Sequence, residues 1–318
     1  MSHKLYLAPM RGLTDHIFRN TFFRFFSGFD TAIAPFVPTV QGKRIRPNLI
    51  RGLMPENNTG IPVIPQILGK SADDFIFMAK RLDKFGYDTL NWNLGCPFPA
   101  VAKKGRGSGL LPYPDKIDAF LEKTVPGISQ KISVKVRLGR HKPNEIFKLM
   151  PIFNKYPLKE MIIHPRLGIQ MYSGQPDLDT FGLCLEQSRH PVVYNGDIRS
   201  YADFLRLSEK FPAIDRWMIG RGVLINPFLA DIIKKGSDDF VDKPAMMKQF
   251  HDALFEAYQA VFCGPAHLVD RMKGFWLYFG QAFSDSETVV KKINKTREPE
   301  KYKAIVNDFF TNNKKWIA

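Results

Sequence analysis

The chain alternates short apolar stretches with loop chemistry and helical patterns, and that rhythm constrains its fold more than any other feature. Eight such stretches recur, at 5–8, 31–34, 63–68, 89–93, 132–136, 161–164, 192–195 and 217–219. Several are continuous hydrophobic runs, as parallel strands buried on both faces are. Between two of them, Ser71 precedes Phe75, Met78, Ala79 and Leu82, which follow the i, i+3, i+4, i+7 pattern of an amphipathic helix closed by Gly86. Ser200 likewise precedes a helix start at Tyr201. Both helices read as crossovers of right-handed βαβ units, and eight strands so connected imply an α/β fold of the (β/α)8 TIM-barrel type.

The strand rhythm stops after Leu229, and Gly236-Ser237-Asp238-Asp239 reads as a linker. Beyond it the pattern is purely helical. Phe250, Leu254, Ala257, Tyr258 and Val261 form one apolar stripe ended by Gly264-Pro265; Tyr302, Ile305, Val306 and Phe309 form another behind Pro299. The expected organisation is a barrel over residues 1–240 and a small C-terminal helical bundle over 244–318. There are 46 Lys and Arg against 31 Asp and Glu, a net charge of +15, which suits either a polyanionic partner or a solvated basic surface. Lys291, Lys292, Lys295, Arg297, Lys301, Lys303, Lys314 and Lys315 outnumber Glu298, Glu300 and Asp308 in the last helical stretch, which is either a solvated face or a phosphate-contacting one. The three cysteines, Cys96, Cys184 and Cys263, are far apart and lack metal-ligand spacing, so neither a disulfide nor a metal site is expected. No apolar run is long enough to span a bilayer, and the opening residues are too few and wrongly flanked for a signal peptide. A cytoplasmic monomer away from membranes is the expectation.

In an α/β barrel, chemistry sits at the C-terminal strand ends. Here those ends are Pro9-Met10, Gln66, Asn93, Lys135 with Arg137, His164, Asn195 with Asp197, and Gly220-Arg221-Gly222. Each alone fits a hydrogen-bonded structural residue; together they converge on one mouth. The loops Asn195-Gly196-Asp197 and Gly220-Arg221-Gly222 occupy the place where barrels commonly bind phosphate, with Arg221 a candidate bidentate clamp. The glycines are equally explained by tight turns of positive φ. Gln66 offers a donor and an acceptor, and Lys135 a positive charge, to a flat heteroaromatic ring. Cys96 lies in Asn93-Leu94-Gly95-Cys96-Pro97, followed by Gly105-Arg106-Gly107-Ser108-Gly109. It is either a small buried hydrophobe or, mostly thiol at neutral pH, a proton donor.

With these motifs in view, the chain resembles the tRNA-dihydrouridine synthase family. The similarity lies in Ala8-Pro9-Met10-Arg11-Gly12-Leu13-Thr14-Asp15 with Phe18-Arg19, in Asn93-Leu94-Gly95-Cys96-Pro97 through Val101, Gly105 and Leu110-Leu111, in Val134-Lys135-Val136-Arg137-Leu138-Gly139, and in Asn195-Gly196-Asp197 and Gly220-Arg221-Gly222. It implies FMN across the mouth, its ring held by Pro9, Met10, Gln66, Lys135 and His164, and its phosphate by Asn195, Gly196, Asp197, Gly220, Arg221 and Gly222. It also implies NADPH as reductant, hydride delivery to C6 of a uridine in tRNA, protonation of C5 by Cys96, and Asn93, Arg137 and Arg166 on the substrate side. The chain departs from the family pattern after His164, where Pro165-Arg166-Leu167 and Tyr172-Ser173-Gly174-Gln175-Pro176-Asp177-Leu178 stand, and after the second strand, which ends Ala34-Pro35-Phe36. The rival reading is an FMN barrel oxidoreductase acting on a free small molecule, of the dihydroorotate dehydrogenase or enoate reductase kind.

Overall fold

The computed structural model describes residues 3–41, 45–312 and 315–318, so Lys314 of the basic C-terminal stretch lies outside the described residues. Its sheet comprises β1 (Lys4–Leu7), β2 (Thr31–Ile33), β3 (Val37–Pro38), β4 (Val63–Ile64), β5 (Gln66–Leu68), β6 (Thr89–Leu94), β7 (Lys131–Gly139), β8 (Met161–Leu167), β9 (Val192–Tyr194) and β10 (Arg216–Ile219). Neighbours pair in parallel in the order β3-β5-β6-β7-β8-β9-β10-β1-β2-β4.

The stretch expected as one strand over 63–68 is divided at Pro65. Proline has no N–H to give a ladder, so the chain changes partner there: β4 pairs with β2, and one residue later β5 pairs with β6. The Pro65 carbonyl still accepts from the Asn91 N–H at 2.8 Å. Because a single residue joins β4 to β5, the ring closes, and the architecture is a TIM barrel with one short extra strand, β3, beside β5.

Alternation along each strand sends one set of side chains outward and one inward. Leu5, Leu7, Trp92, Val134, Val136 and Ile163 belong to the large core shared with the helices. Tyr6, Ala8, Ile33, Ile64, Ile162, Val193 and Met218 form a separate buried cluster inside the ring. On β5 to β7 the inward positions are polar instead: Gln66, Asn91 and Ser133 are fully buried. The crossover helix Ala72–Asp83 begins where Ser71 Oγ accepts from the Asp74 N–H, and it buries Phe75, Met78, Ala79 and Leu82. Tyr201–Lys210 starts with a reciprocal capping box between Ser200 and Asp203.

The C-terminal part consists of helices Lys243–Gln259, Pro265–Phe279, Glu287–Lys295 and Pro299–Thr311. Phe250, Leu254 and Tyr258 are buried as the stripe requires, but Val261 lies past the helix end and is 44% exposed, with Phe255 buried in the same helix. Phe275 stacks on Phe18 of the first barrel helix, His16–Phe25, and Phe250 meets Phe18 and Phe22 edge-to-face, at centroid distances of 5.5–5.9 Å. The barrel and the C-terminal helices therefore share one continuous core. Among the described residues, no helix is long and apolar enough to cross a membrane.

Candidate active site

A cleft of about 280 Å³ opens at the C-terminal ends of the strands. Of the expected site residues, Pro9, Met10, Asn93, Cys96, Lys135, Arg137, His164, Asn195, Gly196, Asp197, Gly220, Arg221 and Gly222 line it. Gln66 and Arg166 do not. Gln66 is wholly buried one layer below the mouth, with its amide on Asn91 and Asn93; Arg166 is 1% exposed, behind Asp197. Arg11, Phe36, Phe98, Tyr172, Arg199 and Tyr278 also line the cleft. Reading strand ends alone misses them, since Tyr278 arrives on the helix Pro265–Phe279 and Tyr172 on the loop after β8.

On the wall formed by β6 and β7, the loop carrying Cys96 is held at several points. Asn93 Oδ1 accepts from the N–H groups of Gly95 (3.2 Å) and Cys96 (2.9 Å). Arg137 donates from Nε to the Gly95 carbonyl at 3.0 Å and from Nη1 to that of Leu167 at 2.8 Å. The Cys96 carbonyl accepts from both the backbone and the hydroxyl of Ser108, each at 3.0 Å. Gly107 has φ +56°, and a Cβ there would lie 2.8 Å from the Cys96 carbonyl oxygen, so only glycine lets the loop fold back beneath the cysteine. Burial pushes the Cys96 thiol up, outweighing the backbone N–H of Phe98 and the charges of Arg137, Arg11 and Lys135. The group is therefore held as a thiol.

On the opposite wall, Asp197 is the shared ion-pair partner of three arginines. Arg166 reaches its two oxygens at 3.1 and 2.6 Å, Arg221 bonds Oδ1 at 2.6 Å, and Arg199 stands 3.8 Å away. Burial alone would raise this carboxyl, but the bonds from Arg166 and the charges of Arg166, Arg221 and Arg199 hold it below the ordinary carboxylate range. Three guanidiniums on one carboxylate leave an excess of about two positive charges, the complement of a phosphate. Among Gly196, Gly220 and Gly222, none has positive φ. The turn explanation fails here: a Cβ at Gly222 would lie 2.0 Å from the Ile198 carbonyl oxygen, so glycine serves the close packing of the two loops.

Lys135 lies where the two walls meet, in register with Asn93 on one side and Ile162 on the other. Burial, followed by the charge of Arg137, lowers its ammonium to about 7. Burial and then Arg137, Lys135, Arg166 and Arg221 hold His164 well below its usual value, so it is neutral. Its Nε2 lies 3.1 Å from Arg166 Nη1. A guanidinium can only donate, so Nε2 accepts and the proton sits on Nδ1. The Tyr172 ring is faced by the guanidiniums of Arg137 at 5.4 Å and Arg221 at 5.0 Å. A flat ring with a phosphate tail fits this donor set: the arginine excess lies on one wall of the cleft, and Lys135, with no hydrogen-bond partner among the described residues, where the two walls meet.

Comparison with known proteins gives consistent matches. A family model described as dihydrouridine synthase (Dus) matches residues 6–315. A tRNA-dihydrouridine synthase B from Pasteurella multocida is 28% identical over 253 residues, covering 77% of this chain and 74% of that protein. A tRNA-dihydrouridine(16) synthase from Neisseria meningitidis serogroup A is 24% identical over 321 residues, covering 96% and 94%. Among solved structures, the old yellow enzyme homologue from Zymomonas mobilis superposes with a TM-score of 0.53 at 12% identity, over 76% of this chain and 91% of that one, a likeness of fold.

Proposed function

The chain belongs to the dihydrouridine synthase family, and on that premise we propose that it reduces a uridine in tRNA to 5,6-dihydrouridine, with FMN as cofactor, NADPH as reductant and Cys96 as proton donor. It is an oxidoreductase acting on a CH–CH bond. The observation that carries the reading is a half-buried cysteine kept as a thiol in a cleft whose far wall is rich in arginine.

In this reading Asn195, Gly196, Asp197, Gly220, Arg221 and Gly222 hold the FMN phosphate, and Pro9, Met10, Lys135 and His164 hold its ring. Gln66 acts through Asn93, and Arg166 through Asp197 and His164, with Arg137 fixing the Cys96 loop. Bound FMN supplies the hydride, and NADPH restores it. Adding hydride to C6 of a conjugated uracil gathers negative charge on C5, and Cys96 gives its proton there. Taking the base out of the RNA fold costs a few kcal/mol, which contacts to the rest of the tRNA must offset. The exposed Lys291, Lys292, Lys295, Arg297 and Lys301 support a division of labour between a barrel over 1–240 and a tRNA-holding helical part over 244–318. A cytoplasmic monomer completes the proposal.

The test is direct. Purified protein with FMN, NADPH and unmodified tRNA should yield dihydrouridine at a mappable position. Binding should weaken with salt, log K changing by about 0.7 to 0.9 per phosphate neutralised for each unit of log salt. A yellow protein that reduces a free small molecule and shows no salt-sensitive affinity for tRNA would overturn the proposal.

A further inference from the structure

A column of buried side chains inside the barrel connects β7 to the Cys96 loop. Ser133, Asn91 and Gln66 stand in register on the adjacent strands β7, β6 and β5, and none is exposed. Asn93 is two residues further along β6, on the same face. Asn91 Nδ2 donates to Ser133 Oγ at 2.8 Å. Gln66 Nε2 donates to Asn91 Oδ1 at 2.7 Å, and Asn93 Nδ2 to Gln66 Oε1 at 2.7 Å. Asn93 Oδ1 then accepts from the backbone N–H groups of Gly95 and Cys96.

An amide can be turned end for end without changing its shape, yet only one direction works here. The N–H of Cys96 can only donate, so Asn93 must turn Oδ1 towards it and Nδ2 towards Gln66. The same logic passes through Gln66 and Asn91 to Ser133, the one member whose single oxygen can both accept and donate. Its hydroxyl proton goes to the Leu90 carbonyl, 3.3 Å away, which can only accept. With every amide reversed, Asn93 would set N–H against the N–H of Cys96.

We propose that Ser133 is a positioning residue for Cys96: its hydroxyl accepts from Asn91 at the far end of the column, and so anchors Asn91, Gln66 and Asn93 in the one arrangement in which Asn93 holds the cysteine loop. This rests on the reading of Cys96 as the proton donor. Without the hydroxyl, Asn91 Nδ2 becomes an unpaired buried donor and the loop loses a fixed anchor.

The experiment compares Ser133→Ala with Ser133→Thr in the FMN-loaded enzyme. Ser133→Ala is expected to lower kcat about tenfold, with KM for tRNA changed by less than about twofold, because misplacing a reacting group costs turnover rather than binding. Flavin content should stay native, and iodoacetamide should alkylate Cys96 several-fold faster, read at that peptide by mass spectrometry. Ser133→Thr, which keeps the hydroxyl, should restore both kcat and the alkylation rate. Gln66→Met cuts the same column nearer the loop and must reproduce the faster alkylation. Native alkylation rates in both Ser133→Ala and Gln66→Met would overturn the proposal, as would equal losses in Ser133→Ala and a flavin-loaded Ser133→Thr. If the unaltered enzyme makes no dihydrouridine, the role of Cys96 falls, while the alkylation contrast still decides whether the column holds the loop.

Discussion

On one wall of the cleft, β5 to β7 carry uncharged amides and a hydroxyl, each paired and buried, that end on the backbone of Cys96. On the other, arginines crowd a single carboxylate, Asp197, between the loops after β9 and β10. A neutral, fully paired network rigidifies without building a field, which suits a wall that must place one sulfur atom. An arginine excess gives up geometric uniqueness for charge, which suits a wall that must hold an anion. The two walls should therefore fail differently: damage to the first should slow turnover with the flavin still bound, and damage to the second should release the flavin.

The largest expected effect is on the thiol wall. Cys96→Ala should lower dihydrouridine formation by ~10²–10⁴-fold, the usual worth of a positioned acid, while the protein still purifies yellow. Equal turnover in the variant, measured under single-turnover conditions, would remove the cysteine from the mechanism. On the arginine wall, Arg221→Ala takes away a charge-assisted contact worth about 1.5–3 kcal/mol, so FMN should bind roughly 10- to 100-fold more weakly by fluorescence titration. Turnover at saturating FMN should change far less. If Arg221→Ala instead lowered turnover and left FMN affinity native, the contrast between the walls would be lost.

The barrel was legible because parallel strands buried on both faces leave continuous apolar runs, and because serine caps mark helices such as Ala72–Asp83. What escaped depends on register and on distant chain. Pro65 lies inside an apolar run, so the run alone conceals that the ladder changes partner there. Gln66 is a strand-end residue by position, yet it pairs in register with Asn91 and so lies one layer beneath the mouth. Arg166 carries the charge of a ligand-binding side chain, but the loop through Gly174, whose carbonyl accepts from its guanidinium, buries it behind Asp197. Tyr278 reaches the cleft only because an aromatic core docks its helix on the first barrel helix, and no local pattern records that docking.

The smallest effect tests Lys135, between the two walls. Its folded-state pKa, about 7, lies far below the value of ~10.4 for an unfolded chain. Below pH 7 the group is charged in both states, and the flavin-free fold bears the full cost of its burial. Between about pH 7 and 10 the unfolded chain binds more protons than the fold, so this contribution makes stability rise with pH. Lys135→Met removes it. The flavin-free variant should melt higher than the parent at pH 6, by on the order of 1 kcal/mol, because water in the open cleft solvates part of the charge. The gain should shrink steadily towards pH 9. A phosphorylated ring in the cleft reverses the sign, since its negative charge favours the ammonium; with FMN bound, the parent should be the more stable protein at pH 6. A gain in Lys135→Met that persists with FMN bound would mean the lysine does not face the cofactor, and the two walls would then meet over a gap with no charge in it.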